Sequence, residues 1–139
     1  MIAVVSLAVK SGTIAVAPVS AQTSTDKQSH DNSSGSISQI KISIPEGAST
    51  MDDQAFGPNP VNVKVGDNVT WTNDDSQPHT VTSGTGPNDP NKAKEFDSSP
   101  GFKILLSPFQ TFSHKFDSIG EFPYFCQVHP NMIGKVVVS

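Results

Sequence analysis

The sequence predicts an all-β domain, an antiparallel sandwich or barrel of about 100 residues. Two observations favour this fold. Several short segments alternate apolar and polar residues with a period of two, and no segment has a convincing helical period. The 139 residues also include 10 glycines and 11 prolines, which interrupt long helices and favour short strands joined by turns.

The predicted strands follow one another from Ile37 to the C-terminus. Isoleucines alternate with polar residues over 40–44, and valines repeat that period over 61–65. The other predicted strands cover residues 69–72, 79–82, 111–116, 120–125 and 135–138. The segment 83–107 is the exception, because loops longer than about 12–15 residues are usually functional or mobile. Its apolar end at 104–106 is expected to add another strand or edge segment.

The N-terminal 36 residues are predicted to lie outside the folded domain, which would span 37–139. Residues 1–21 are apolar and end in Val-Ser-Ala, which is typical of a signal-peptidase site, so we expect export to the periplasm or the outer face of the membrane. The alternative is a buried N-terminal strand or helix. Neither apolar piece reaches the ~20 residues that span a bilayer, so membrane association is expected only if the leader stays as an anchor. Residues 22–36 contain no large apolar side chain and are predicted to be a flexible spacer, in which His30 is solvated.

Charge and cysteine content exclude several functions. The formal net charge is −4 and the nine basic residues are all lysines, whereas nucleic-acid binding favours a basic face with arginines. The single cysteine, Cys126, excludes an intrachain disulfide and any metal site that needs two thiolates. The chain also has no Gly-rich phosphate loop and no hydrolase motif, so a conventional hydrolase or nucleotide enzyme is not expected.

One short segment carries the chemistry. Cys126, His129 and Met132 form a C-x-x-H-x-x-M motif directly after a predicted strand, and His79 follows Pro78 at the start of another. A thiolate, two imidazoles and a thioether suit copper that cycles between Cu(I) and Cu(II), with His₂Cys in a plane and a weak axial Met. Zinc is disfavoured because a thioether is a poor ligand for it.

These motifs are similar to those of a known family. They are Val-Gly-Asp-Asn-Val-Thr-Trp-Thr-Asn at 65–73, Pro-His-Thr-Val at 78–81, Phe-Asp-Ser at 96–98, Thr-Phe-Ser at 111–113 and the run from Tyr124 to Met132. From about Ile37 to its end the chain resembles the cupredoxins, in particular the small plastocyanin- and amicyanin-like blue copper proteins. The resemblance implies a Greek-key β-sandwich with His79, Cys126, His129 and Met132 as type 1 copper ligands. The short His-to-Met interval looks like that of amicyanin.

The chain also departs from the family pattern. Phe109 follows Pro108 where the family usually has glycine, which implies a different turn. The insertion after His79 is long and would alter access to the metal if it folded over it. His114 is expected to pack between apolar residues, since it has no neighbouring histidine with which to bind a second metal. Thr80 is expected to support the thiolate or the ligand loop by hydrogen bonding.

The sequence therefore predicts an exported, monomeric electron carrier that is not an enzyme. The resemblance implies that redox proteins dock transiently near His129, on a patch with Pro130 and Asn131, and the acidic balance favours partners with Lys-rich surfaces. Two alternatives remain. If Met132 were too distant, an open axial position would allow a small copper redox enzyme that acts on a nitrogen oxide or oxygen. The other alternative is copper storage or delivery. A dinuclear purple centre and a multicopper oxidase are excluded, since there is one cysteine and no H-x-H pair.

Overall fold

Seven strands form two packed sheets in the computed structural model, which describes residues 38–139. The strands are β1 (Gln39–Ile44), β2 (Val61–Val63), β3 (Asn68–Asn73), β4 (Thr82–Ser83), β5 (Thr111–Lys115), β6 (Gly120–Phe125) and β7 (Ile133–Val138). The helical turns are 3₁₀ turns at Ala48–Thr50, Asp52–Gln54 and Pro100–Phe102. Within the described range, no helix is long and apolar enough to cross a bilayer. The expected leader (1–21), the expected spacer (22–36) with His30, and Ile37 lie outside the described residues.

The predicted all-β sandwich is confirmed, with mixed strand pairing inside it. One sheet has the order β1-β3-β5 and the other β2-β7-β6-β4. β1 runs parallel to β3, and β2 runs parallel to β7, while the other three pairs are antiparallel. The expectation of a wholly antiparallel sandwich was therefore wrong for two pairs. A period of two reports which face of a strand is buried but not the direction of its neighbour, so the sequence could not distinguish these cases.

The alternating residues form the core between the sheets, as predicted. Ile42 and Ile44 of β1 are fully buried, as are Val69 and Trp71 of β3. Trp71 makes an edge-on contact with Tyr124 of β6 at 5.4 Å between ring centroids, which joins the two sheets. This core fixes the strands whose ends carry the candidate site.

Three predicted segments are shorter in the structure than the sequence suggested. β2 ends at Val63, and Val65 is 47% exposed because the chain turns at Gly66 to enter β3. β4 contains only Thr82 and Ser83, and His79 joins the sheet edge through an isolated bridge to Leu106. The expected strand at 104–106 is reduced to that bridge.

The long insertion runs beside β4 and completes the core. Its segment around Asp97 bridges Thr82, and the ring of Phe96 packs against Trp71 at 5.6 Å between centroids. His114 of β5 packs between Phe96 and Phe116, at 4.9 and 4.8 Å, which confirms the expected packed role of this histidine. The insertion is thus part of the sandwich.

The backbone at Phe109 adopts the left-handed conformation that a glycine would adopt in this turn. Its φ is +65°, in the left-handed region, and its side chain is 84% exposed. The expectation of a different turn was therefore wrong: the backbone adopts the glycine-like conformation despite its steric cost, and the ring points into solvent.

Gly134 of β7 is the position where a methyl group would do most harm to the core. A Cβ there would lie 2.3 Å from Cζ of the buried Tyr124 ring, which crosses directly over it. We expect Gly134→Ala to lower the free energy of unfolding by about 1–3 kcal/mol, since an overpacked core must shift its side chains or backbone. Chemical denaturation measures this change. Gly57→Ala is the matched control, because a Cβ at Gly57 meets no atom within 4 Å. An equal effect of the two substitutions would contradict the packing account.

Candidate metal centre

His79 is held rigidly at one end of the sandwich. Its backbone N–H donates to the carbonyl of Leu106 at 3.1 Å, and the N–H of Leu106 donates to the carbonyl of His79 at 2.9 Å. The Asn73 side-chain amide donates to the same Leu106 carbonyl at 2.8 Å. His79 is fully buried, so its imidazole has little freedom to leave its position.

The other candidate ligands share the loop between β6 and β7. Cys126 directly follows β6, and Met132 directly precedes β7. The N–H of Cys126 donates to the Met132 carbonyl at 3.1 Å, and the N–H of Met132 donates to the His129 carbonyl at 2.9 Å. These two bonds close the loop into a compact turn. Cys126 and Met132 are fully buried, whereas His129 is partly exposed.

Three donor atoms converge on one point. The Nδ1 atoms of His79 and His129 are 3.3 Å apart, and the Cys126 Sγ lies 3.8 Å from the Nδ1 of His79. One ligand atom from each of the three residues lies within 4.8 Å of the others. A metal ion about 2.0–2.3 Å from nitrogen and sulfur donors in a trigonal plane would separate those donors by about 3.5–4 Å. The observed separations of 3.3 and 3.8 Å lie at or close to this range, so the three side chains fit a single ion.

A buried carboxylate orients the first of these imidazoles. The Nε2 of His79 lies 2.9 Å from Oδ2 of Asp75, which is 2% exposed. A carboxylate can only accept, so Nε2 donates to Asp75, and Nδ1 is the nitrogen that faces the other candidate ligands and would bind a metal after losing its proton. Burial alone would raise the pKa of Asp75, but the hydrogen bonds from His79 and from the Gln77 N–H outweigh it and lower that pKa.

The sulfur of Cys126 is prepared to act as a thiolate. The backbone N–H of Thr80 donates to Sγ at 3.3 Å, which confirms the expected supporting role of Thr80. Burial alone would raise the pKa of the Cys126 thiol, but hydrogen bonds from His79 and from backbone N–H groups outweigh it and lower that pKa. A lowered thiol pKa favours the anion that binds metals.

His129 is the candidate ligand with access to solvent. Burial and the positive field of His79 both lower the pKa of His129, which favours the neutral imidazole that can ligate a metal. The next two residues, Pro130 and Asn131, are exposed. This partly exposed imidazole gives the site one edge that opens to solvent.

The structure thus brings the donor atoms of three of the four predicted ligands together, and the fourth, Met132, is buried on the same loop as Cys126 and His129.

Sequence reasoning missed Asp75 and gave no role to Asp97. Asp75 lies in an Asn-Asp-Asp sequence that resembles an ordinary turn, so only its position four residues before His79 could have drawn attention to it. Within residues 38–139, the group formed by His79, Cys126 and His129 is the one cluster of at least three potential His, Cys, Asp or Glu ligands.

Residues 44–139 match the family described as copper binding proteins, plastocyanin/azurin family. A chloroplastic plastocyanin from Tetradesmus obliquus is 33% identical over 110 residues, which cover 76% of this chain and 70% of that protein. Amicyanin-alpha from Methylorubrum extorquens is 38% identical over 84 residues, 57% of this chain and 60% of that protein. Among solved structures, a novel purple cupredoxin from Nitrosopumilus maritimus is 34% identical with a TM-score of 0.61, covering 72% of this chain and 99% of that one.

Proposed function

Because the chain belongs to the plastocyanin/azurin family of copper-binding proteins, we propose that it carries single electrons between redox partners through one copper ion. His79, Cys126, His129 and Met132 would hold this ion. Copper bound there alternates between Cu(II) and Cu(I), and so accepts and releases one electron. The observation that carries the proposal is the convergence of two imidazole Nδ1 atoms and one cysteine sulfur in a largely buried position.

The protein side chains have a defined task in this function. Cys126 supplies the strongest bond as a thiolate, His79 and His129 complete the plane, and Met132 provides the weak axial contact. The backbone bonds between His79 and Leu106, and those within the ligand loop, hold the donors in place before any metal arrives. A preorganised set of donors needs little rearrangement when the charge of the ion changes, and this favours rapid electron transfer.

The surface around His129 supports redox-protein partners with basic faces. The side chain of Asn131 donates to Oδ1 of Asp52 at 3.0 Å and to the Ser49 carbonyl at 2.9 Å, so exposed Asp52 lies beside the ligand loop. With a net charge of −4, the protein would attract Lys-rich partners at low ionic strength, and salt would weaken that attraction. Export to the periplasm or the outer face of the membrane is part of the proposal and rests on the leader pattern of residues 1–21.

Addition of Cu(II) to the metal-free protein tests the site. We expect an intense visible thiolate-to-copper absorption band that saturates at one equivalent of copper. Azide or nitric oxide should leave the spectrum unchanged if Met132, which is fully buried on the ligand loop, fills the axial position as proposed. Met132→Ala serves as the comparison, since an opened axial position should let azide shift the band.

Different outcomes identify the alternatives. A band that azide shifts in the unmodified protein would favour a small copper redox enzyme over an electron carrier. Ready loss of Cu(I) to a chelator, without a reversible electrode response, would favour copper storage or delivery. Absence of the band would contradict the proposed copper site itself.

A further inference from the structure

We propose that Asp97, a carboxylate of the long insertion, is a positioning residue that fixes the ligand loop and the hydrogen bonds around the Cys126 sulfur. This inference rests on the proposed copper function and assigns the insertion a role in it. Asp97 does not touch the candidate ligands itself, and acts through Thr82, Gln127 and Thr80.

Three donors meet at one oxygen of Asp97. Its Oδ1 accepts from the Thr82 hydroxyl at 2.9 Å, from the Ser99 N–H at 2.9 Å and from the side-chain amide of Gln127 at 3.4 Å. Thr82 is fully buried in β4, and Gln127 directly follows Cys126. The carboxylate therefore joins the insertion, the edge strand and the ligand loop at one point.

The direction of the hydrogen bonds follows from the chemistry of these groups. A carboxylate can only accept, so the single proton of the Thr82 hydroxyl is donated to Asp97. The Thr82 oxygen then accepts from the Gln127 side-chain amide, whose Nε2 lies 2.9 Å away. Removal of the carboxylate would free this hydroxyl proton for other acceptors.

Thr80 connects this arrangement to the sulfur. Its hydroxyl oxygen accepts from the backbone N–H of Gln127 at 2.7 Å, and its own N–H donates to the Cys126 Sγ at 3.3 Å. The Thr80 and Thr82 hydroxyl oxygens are 3.3 Å apart, and the Thr80 hydroxyl lies 3.9 Å from Sγ. With the Thr82 proton held by Asp97, the Thr82 oxygen can only accept from Thr80, and the single proton of the Thr80 hydroxyl is shared between the Thr82 oxygen and Sγ as its two acceptors. Asp97 thus acts through Thr82 on the orientation of the Thr80 hydroxyl, which accepts from the ligand loop and lies beside the sulfur.

Hydrogen bonds to a metal-bound thiolate change how much electron density the sulfur shares with the metal. Loss of the Asp97 carboxylate should therefore alter the thiolate-to-copper spectrum. It should also increase the local opening of the ligand loop, which hydrogen exchange measures. A purely structural tie between the insertion and β4 would change stability and leave the spectrum unchanged.

The test compares Asp97→Ala with Asp97→Asn, in which an amide oxygen can still accept from Thr82 and Ser99. In the metal-free protein, we expect Asp97→Ala to speed hydrogen exchange of the Gln127 backbone amide by about tenfold, as its acceptor Thr80 loses its fixed orientation. In the copper-loaded protein, the same variant should change the energy or relative intensity of the visible bands. Asp97→Asn should restore both properties most of the way to those of the unmodified protein.

Asp89→Ala is the matched control from the same insertion. Asp89 accepts from the N–H and hydroxyl of Thr85 and from the Asn91 N–H, all within the loop. It should leave both the Gln127 exchange rate and the copper spectrum unchanged. Gln127→Ala is a second variant for the case that Asp97→Ala does not fold. It removes the hydrogen bonds from the Gln127 side chain to Thr82 and Asp97, and it should reproduce the spectral change.

The proposal is overturned if Asp97→Ala or Gln127→Ala behaves like Asp89→Ala in both measurements. This failure is distinct from failure of the copper function. If the unmodified protein formed no thiolate-to-copper band, the proposed function would fail, and the exchange rates of the metal-free variants would still report whether Asp97 positions the loop.

Discussion

Cys126→Ser is expected to abolish the intense visible absorption of the copper-loaded protein completely. The band requires charge transfer from a thiolate to Cu(II), and serine replaces the sulfur with an oxygen that keeps its proton near neutral pH. Cys126 is the single cysteine of the chain, so no other thiol can substitute for it. His79 and His129 would still offer two imidazoles, so Cu(II) should remain bound more weakly, with the pale spectrum of nitrogen and oxygen ligation.

Absorption and paramagnetic resonance spectra of the two copper-loaded proteins measure this effect. Thermal unfolding of the metal-free forms provides the control, since serine is nearly isosteric with the fully buried cysteine and should keep the fold. A strong visible band that persists in the serine variant would contradict the assignment of Cys126.

Asp75→Asn is expected to raise the reduction potential of the copper-loaded protein. The asparagine oxygen can still accept from the Nε2–H of His79, so the imidazole keeps its orientation, but the negative charge is lost. That buried charge stabilises Cu(II) more than Cu(I), because the oxidised ion carries the larger positive charge. Each loss of about 1.4 kcal/mol in this difference raises a one-electron potential by about 59 mV.

Voltammetry of Asp74→Asn provides the matched comparison. Asp74 is the neighbouring residue, but it is exposed and hydrogen-bonded to Ser43, so solvent screens its charge. We expect its potential to change much less than that of Asp75→Asn. Equal shifts in the two variants would mean that the contact with His79 has no special influence on the metal.

Much of the fold and of the candidate site could be predicted because both depend on local patterns. The period of two over 40–44 and 69–71 identified buried strand faces directly. The C-x-x-H-x-x-M spacing identified three candidate ligands, because a tight loop must bring residues three positions apart close together. His79 required more, since its contact with the loop spans 50 positions of sequence to His129. There the Pro-His sequence and the family resemblance supplied what periodicity could not.

The remaining features depend on contacts that no local pattern specifies. Asp75 and Asp97 both lie in segments whose composition is that of ordinary turns, and their partners are revealed only when the sheets are packed. Parallel pairing of β1 with β3 likewise leaves no mark on the alternation of either strand. Phe109 was misread because a family preference for glycine describes what is easiest at a left-handed position and does not exclude an exposed phenylalanine there.

Voltammetry of the copper-loaded, unmodified protein at an electrode tests the central claim most directly. An electron carrier whose donors are held in place should give one reversible one-electron wave, of the same height with and without nitric oxide. A current that grows when nitric oxide is added would contradict the account in favour of a small copper redox enzyme. Absence of a reversible wave would contradict electron transfer altogether.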